Sequence, residues 1–300
     1  MRRVSHFVEY LLVLLVVKLG CILPLKASLF MGRLIGKIAF NVARTRRRIT
    51  IGNLEAAFGN EKSHQEILGI ARRCYENIGQ AFIEFGRFPI TNLKTIRKLV
   101  RIEGLEHLRD AMAKGKGGLF VAGHFGDWEL MGASFVAYGF PVSFLVGEQS
   151  NRAVDNMMNR YREGCGIKII PMGISMRRVL KTLRSNEFVA MLSDQDAGRK
   201  GVFVDFFGRK ASTPFGPAAF SLRTGSPIIV CSIVRERHGR HTVILEKPVY
   251  PEPSGDEQRD IERYTQLYTS IIEKYVRQYP DHWYWLHRRW KTSVQETPAS

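Results

Sequence analysis

Residues 118–139 read GLFVAGHFGDWELMGASFVAYG, which is the pattern of a strand, a short loop and a helix. The apolar run 118–122 is compact and continuous, as is typical of a strand that is covered on both faces. A helix is predicted from Trp128 to Tyr138, and Gly139 ends it. This unit sets the fold, and its loop carries a histidine beside two acids.

The same alternation of strands and helices continues on both sides of this unit. Further strands are predicted at 99–103, 142–146, 167–170 and 188–192, and further helices at 105–114, 153–163 and 176–184. Strands that are separated by helices of this length favour an α/β fold with a mostly parallel central sheet and helices on both faces. Beyond them, segments 228–234 and 242–246 predict an antiparallel hairpin.

The amino terminus has a different character. Residues 7–25 read FVEYLLVLLVVKLGCILPL, an apolar stretch close to the length that crosses a bilayer, although Glu9 and Lys18 interrupt it. A cleaved signal peptide is an alternative, but no A-x-A-like site follows. The favoured interpretation is a retained hydrophobic anchor helix at 1–28, either spanning the membrane or lying in one leaflet, followed by one domain at 29–300.

The composition is strongly basic. Lys and Arg number 45 against 28 Asp and Glu, which leaves a net charge of +17. Such an excess favours nucleic acid, an anionic membrane surface or a phosphorylated substrate as partner. The arginines at 44 and 46–48 suit anionic head groups beside an anchor, the alternative being a solvated helix face. The four cysteines form no C-x-x-C pair and predict neither a disulfide framework nor a zinc site.

His124 is the candidate catalytic residue, because it follows a predicted strand and ligands of parallel sheets bind beyond the carboxyl ends of strands. Histidine titrates near neutral pH and can take a proton from a hydroxyl. Gly123 and Gly126 would let a substrate approach closely. Glu129, in the first turn of the next helix, can reach back to orient the imidazole. Spacing alone leaves a purely structural histidine open.

Two further groups are candidates for binding or positioning. Asp194 and Asp196 follow strand 188–192 and should open onto the same edge of the sheet as His124. Acidic residues there can bind Mg²⁺, but hydrogen-bonding roles are favoured and no metal is predicted. Arg162 ends a predicted helix, where it either binds a phosphate or an oxyanion or complements the helix dipole.

Residues 123–129, GHFGDWE, resemble the H-x4-D/E block of the glycerolipid acyltransferase superfamily. The form is similar to that of the bacterial lipid A biosynthesis (late) acyltransferases, typically HxGNWE, with Asp127 in place of the usual asparagine. Four more blocks agree in order over roughly residues 1 to 291. They are Arg162-Glu163-x-x-Gly166 with the strand to Pro171, Asp194-Gln195-Asp196-x-Gly198 with Val202 to Gly208, Thr213-x-x-Gly216-Pro217, and Trp285-Leu286-His287-Arg288-Arg289-Trp290-Lys291.

The resemblance implies transfer of a fatty acyl chain from an acyl-carrier-protein thioester to a hydroxyl of a lipid A precursor of the Kdo-lipid IVA type. His124 would be the general base and Glu129 would orient it, without an acyl-enzyme. The residues that would bind or position substrate are Asp127, Arg162, Asp194, Asp196 and Gly126. No cofactor or metal is expected. The expected partners are acyl carrier protein, an anionic glycolipid and the bacterial inner membrane, with the domain at 29–300 catalytic and on the cytoplasmic side.

Three alternatives stay open. The first keeps the acyl transfer but uses another membrane glycolipid as acceptor. The second is a basic, membrane-associated nucleic-acid-binding protein that uses Arg46 to Arg48 and the aromatic tail at 283–290; no recognition-fold signature supports it. The third is a hydrolase in which His124 activates water. The tryptophans of that tail suit either an interfacial belt or ordinary packing.

Overall fold

Nine strands form two sheets in the computed structural model, which describes residues 2–293, with the side chains of 4–173 and 176–293. The strands are β1 (Val100–Glu103), β2 (Gly118–Ala122), β3 (Val142–Val146), β4 (Lys168–Pro171), β5 (Phe188–Leu192), β6 (Val202–Phe206), β7 (Arg209–Thr213), β8 (Ile228–Arg235) and β9 (His241–Leu245).

Seven of these strands form the central sheet, in the order β1-β9-β8-β2-β5-β3-β4. The five strands from β8 to β4 are parallel to one another. Strand β9 returns antiparallel to β8, and β1 pairs with β9 in parallel at the edge. The predicted α/β class, the mostly parallel sheet and the hairpin of β8 with β9 are confirmed.

Strands β6 and β7 form a separate antiparallel ribbon that the alternation of strands and helices did not predict. Its turn is tight, with positive φ at both Phe207 and Gly208. Charged residues such as Asp205 and Lys210 break up its apolar pattern. A two-stranded ribbon of this kind depends on packing against the rest of the domain, and β6 contacts the last helix of the fold.

Within residues 2–293, eleven α-helices surround the sheets. They are α1 (Arg2–Ile22), α2 (Leu25–Ile38), α3 (Arg47–Phe58), α4 (His64–Gly86), α5 (Leu93–Leu99), α6 (Leu105–Ala113), α7 (Trp128–Ala137), α8 (Arg152–Gly164), α9 (Ser175–Arg184), α10 (Gly216–Thr224) and α11 (Glu257–Gln278). Two apolar cores lie on opposite faces of the sheet, one that includes residues of α7 and one that includes residues of α9, α10 and α11. Helices therefore cover both faces, as predicted.

The predicted amino-terminal apolar helix is present. Val4–Ile22, within α1, is long and apolar enough to cross a membrane by length and composition. Pro24 separates α1 from α2, so the segment 1–28 holds α1 and the beginning of a second helix. The boundary between the anchor and the domain at residue 28 stays a prediction. The first residue of the predicted anchor and residues 294–300 of the predicted domain lie outside the described residues.

Candidate active site

Strands β2 and β5 are parallel neighbours that end together, with Ala122 opposite Leu192. His124 and Asp194 each follow by two residues, so the register brings them face to face. Nδ1 of His124 lies 2.7 Å from Oδ1 of Asp194. The expectation that Asp194 opens onto the same edge as His124 is confirmed.

Asp194 has two further donors. The backbone N–H of His124 and the indole N–H of Trp283 both donate to its Oδ2, each at 2.7 Å. Burial alone would raise the pKa of Asp194, but the imidazole and these hydrogen bonds outweigh it and hold the pKa below its usual value. An ionised carboxylate can only accept, so Nδ1 of His124 carries the hydrogen and Nε2 is left as the basic nitrogen.

Glu129 does not make the predicted contact with His124. It lies in the first turn of α7, as expected, but its two oxygens accept hydrogen bonds from Arg162 at 2.5 and 2.9 Å. The physical reason is the register of the sheet, which places a carboxylate from β5 directly beside His124, whereas α7 turns Glu129 toward α8. A catalytic role for Glu129 stays a prediction.

Arg162 is buried in the last turn of α8, where it also donates to Asn159 at 2.8 Å. Its guanidinium points across to α7, so the structure shows an ion pair and not only a helix-end charge. Breaking a buried pair of this kind leaves an uncompensated charge, which costs several kcal/mol, about 3–5. Glu129 and Arg162 therefore hold each other in place, close to His124.

The glycines of the loop make room for neighbouring protein atoms, and their expected role in letting a substrate approach stays a prediction. Gly126 has φ +59°, and a Cβ there would meet the carbonyl oxygen of Ile233. A Cβ on Gly123 would meet Asp194. Gly126 therefore requires glycine, and a side chain at Gly123 would crowd Asp194, because the loop packs directly on its neighbours.

Asp127 begins α7 and belongs to a buried charged cluster. Its Oδ1 accepts the N–H of Leu130 at 3.0 Å, and its Oδ2 has no donor among the described residues. Behind it, Glu84 accepts two hydrogen bonds from Arg235, at 2.8 and 2.5 Å, and lies 3.0 Å from His241. Spacing along the chain gives no signal for this cluster, because its members come from α4, β8 and β9.

The pKa values of the two carboxyl groups in this cluster are shifted in opposite directions. Burial alone would raise the pKa of Glu84, but His241 and Arg235 hold it below its usual range. Burial and then the Glu84 carboxylate raise the pKa of Asp127 well above its usual value. Asp127 therefore keeps its proton to a higher pH than an ordinary aspartate, whereas Glu84 stays ionised to a lower pH than an ordinary glutamate.

Asp196 lies apart from the imidazole. Its side chain accepts hydrogen bonds from Gly198 and from the backbone and hydroxyl of Thr292, at 3.2, 3.1 and 2.9 Å. Its own backbone N–H donates to Nε2 of His287 at 3.1 Å. Asp196 thus fastens the carboxy-terminal segment to the end of β5, and its predicted role in substrate positioning stays untested.

The carboxy-terminal segment also closes over the loop of His124. The backbone N–H of Tyr284 donates to the carbonyl of His124 at 2.9 Å, and the backbone N–H of Gly126 donates to the carbonyl of His282 at 2.8 Å. Trp283 and Trp285 are almost wholly buried, so these two tryptophans serve packing and not an interfacial belt. The tail motif was the sequence signal for this region, but it did not reveal contact with His124.

A cavity of about 700 Å³ opens beside His124, between the sheet and α7. Its polar lining includes His124, Glu129 and Arg162, together with Arg46 and Gln195.

Deeper, the lining is apolar. Phe120, Ala190 and Phe144 lie side by side on β2, β5 and β3. Phe135 stacks on Phe120 with ring centroids 4.2 Å apart, and the ring of Phe144 packs against Gly132. The cavity thus combines a reactive, polar part with an apolar interior.

Comparison with known proteins gives a consistent result. Residues 1–292 match the family model described as bacterial lipid A biosynthesis acyltransferase. The chain is 28% identical to a phosphatidylinositol mannoside acyltransferase of Mycobacterium tuberculosis (strain CDC 1551 / Oshkosh), over 74% of this chain and 70% of the relative. It is 26% identical to two proteins of Escherichia coli (strain K12). One is a lipid A biosynthesis palmitoleoyltransferase (90% and 87% covered), and the other is a lipid A biosynthesis lauroyltransferase (92% and 89% covered). The chain is therefore an acyltransferase and belongs to the bacterial lipid A biosynthesis acyltransferase family.

Proposed function

We propose that this enzyme transfers a fatty acyl chain from an acyl-carrier-protein thioester to a hydroxyl of a lipid A precursor of the Kdo-lipid IVA type. The observation that carries the proposal is the hydrogen-bonded pair of His124 and Asp194 beside an apolar cavity. Relatives that are named lipid A lauroyl- and palmitoleoyltransferases support the acceptor.

In the proposed reaction, Nε2 of His124 takes the proton of the acceptor hydroxyl as the oxygen attacks the thioester carbonyl. Asp194 keeps Nδ1 protonated and stabilises the imidazolium that forms. The tetrahedral intermediate collapses with breakage of the C–S bond, and the departing thiolate takes the proton back from His124. The hydroxyl attacks directly, so the route needs neither an enzyme nucleophile nor a cofactor.

The cavity supports a lipid acyl group as the transferred part. Its interior offers Phe120, Phe135 and Phe144 to an alkyl chain, whose burial is favourable by about 0.8 kcal/mol for each CH₂ group. The polar part holds the thioester near His124. Arg162, fixed by Glu129, would bind the developing oxyanion or a phosphate of a substrate.

The cellular location of the enzyme is also part of the proposal. An apolar helix α1, the net charge of +17 and a lipid acceptor together favour the cytoplasmic side of the bacterial inner membrane. A protein partner follows from the proposed donor, because acyl carrier protein must bring its thioester to the cavity.

A second acceptor is favoured by one observation, the 28% identity to a phosphatidylinositol mannoside acyltransferase. The geometry at His124 suits any lipid hydroxyl. Offering the enzyme Kdo-lipid IVA and, separately, phosphatidylinositol mannoside, each with acyl carrier protein or coenzyme A thioesters, distinguishes the acceptors and the donors. Mass spectrometry of the lipid products is the readout.

The proposed base is tested with His124→Ala and Asp194→Asn. Each substitution should lower kcat/KM for acyl transfer at least about a hundredfold, because a positioned general base contributes about that much to the rate. The variants should stay folded and membrane-bound. The matched control is the exposed pair of His64 and Glu55, which lie 3.2 Å apart on the surface. His64→Ala and Glu55→Gln should leave the rate unchanged. Near-normal activity of His124→Ala would disprove the proposed role of His124.

A further inference from the structure

Helix α1 has a row of exposed apolar side chains along one side. The row comprises Val4, Phe7, Val8, Leu11, Leu12, Leu15, Leu19 and Ile22. A second row follows α2 at intervals of four residues, with Phe30, Leu34 and Ile38 and then Val42. Exposed apolar surface of this extent marks a site of interaction.

The two rows share one side of the molecule, because both helices pack on α4 with their other sides. Val17 of α1 lies against Gly86, and Gly32 and Gly36 of α2 lie so close to the backbone of α4 that a Cβ on either would overlap it. We call the combined exposed surface the α1–α2 face. It points away from α4.

Both ends of α1 are tied to the catalytic domain. At the first end, the buried side chain of Asn151, which caps α8, donates to the carbonyl of His6 at 2.8 Å and to Glu9 at 2.9 Å. At the other end, Arg87 donates to the carbonyls of Gly20 and Leu23, to the latter at 2.8 Å.

These ties are incompatible with a helix that crosses the bilayer. Residues 6 and 20 are about 21 Å apart along the helix at 1.5 Å per residue, and the hydrocarbon core is about 30 Å thick. A crossing α1 would therefore draw Asn151 and the beginning of α8 deep into hydrocarbon. That region exposes Arg152, Asn156 and Arg160, which are costly to place there.

The charges around the α1–α2 face indicate what covers it. Lys18, Lys26 and Arg44 are exposed on the same two helices and the turn that follows them. An apolar strip with cationic side chains at its borders fits an anionic lipid surface, because lysine and arginine stems reach along apolar side chains to the head groups.

We propose that α1 does not span the membrane but lies flat in one leaflet, where it and α2 form a monotopic docking face. Glu9, which would oppose insertion of a spanning helix, is held by Asn151 on the side of the catalytic domain. The inference rests on the tethers and the exposed rows, and holds whatever the acyl acceptor is.

The topology is tested on the full chain with one hydrophilic epitope before Met1 and another after Ser300. Sealed inverted vesicles and intact spheroplasts are treated with protease. A flat α1 places both epitopes on the same side, so both should be cleaved in one preparation and both protected in the other. If each preparation protects a different epitope, α1 spans the membrane and the proposal is wrong.

Docking is tested separately with purified protein and vesicles of phosphatidylethanolamine and phosphatidylglycerol. Leu11→Glu combined with Leu34→Glu should weaken co-flotation at least tenfold. The matched control Phe215→Glu alters an exposed apolar residue at the start of α10, outside the α1–α2 face, and should bind like the native chain. Equal binding of the double variant and the native chain would overturn the proposed face.

Discussion

At the residue scale, Asp194 binds both the side chain and the backbone of His124, so one carboxylate fixes the imidazole and the loop that carries it. Glu129 was the predicted partner because it is close along the chain. A carboxylate on the adjacent strand is closer in space, and only the register of β2 with β5 reveals that.

The aspartate at 127, where the motif that the sequence resembles has asparagine, also has a residue-scale explanation. Its raised pKa favours the neutral form beside Glu84, and an asparagine side chain is neutral at every pH. We therefore expect asparagine to replace Asp127 without loss of the fold, because both side chains can be neutral beside Glu84.

This explanation predicts the behaviour of Asp127→Asn. The folded pKa of Asp127 is raised, so its protonated form stabilises the fold fully below the pKa of an unfolded aspartate, about 3.9, and that stabilisation is lost as pH rises through the raised folded value. Asparagine does not titrate. Activity should be retained, and the Tm of the variant minus that of the native enzyme should increase between about pH 5 and about pH 8. A Tm difference that does not change with pH would contradict the assignment.

At the scale of elements, the segment 282–284 acts as a short partner strand for the loop that carries His124. The indole N–H of its Trp283 donates to Oδ2 of Asp194, whereas the imidazole of His124 binds Oδ1. The carboxylate at the end of β5 is therefore held between two elements that are far apart in sequence, the loop after β2 and the carboxy-terminal segment.

Trp283→Phe tests this arrangement, because it removes the indole N–H while keeping most of the packing. A hydrogen bond to a charged group is worth about 1.5–3 kcal/mol, so kcat should fall about tenfold or more. Trp285→Phe is the matched control, since the N–H of Trp285 donates to the carbonyl of Pro280 at 2.6 Å, away from Asp194. It should lower the Tm but not kcat. An equal loss of kcat in both variants would show that Trp283 acts through packing alone.

At the scale of the whole molecule, the cavity is lined by residues of four strands (β2, β3, β5 and β8) and of two helices (α7 and α8), and no single segment contains it. Phe144 of β3 narrows the interior where it packs against Gly132 of α7. Under the proposed function this contact limits the length of the acyl chain.

Replacing Phe144 with alanine should therefore shift the transferred chains toward greater length, measured by mass spectrometry in competition between thioesters of different chain length. Phe140→Ala removes a comparable buried ring that contacts Phe188 edge-on and does not line the cavity. It should destabilise the fold by about 3–5 kcal/mol without changing the chain-length profile. An unchanged profile for Phe144→Ala would show that Phe144 does not set the length.

The sequence by itself determined the alternation of strands and helices, the hairpin of β8 with β9, the apolar α1 and the location of His124 at a strand end, because each follows from local periodicity and chain order. Only the tertiary structure decided that Asp194 faces His124, that Glu129 pairs with Arg162 and that Glu84 lies behind Asp127. Those contacts depend on strand order, register and the packing of helices from distant parts of the chain, and spacing along a sequence does not contain them.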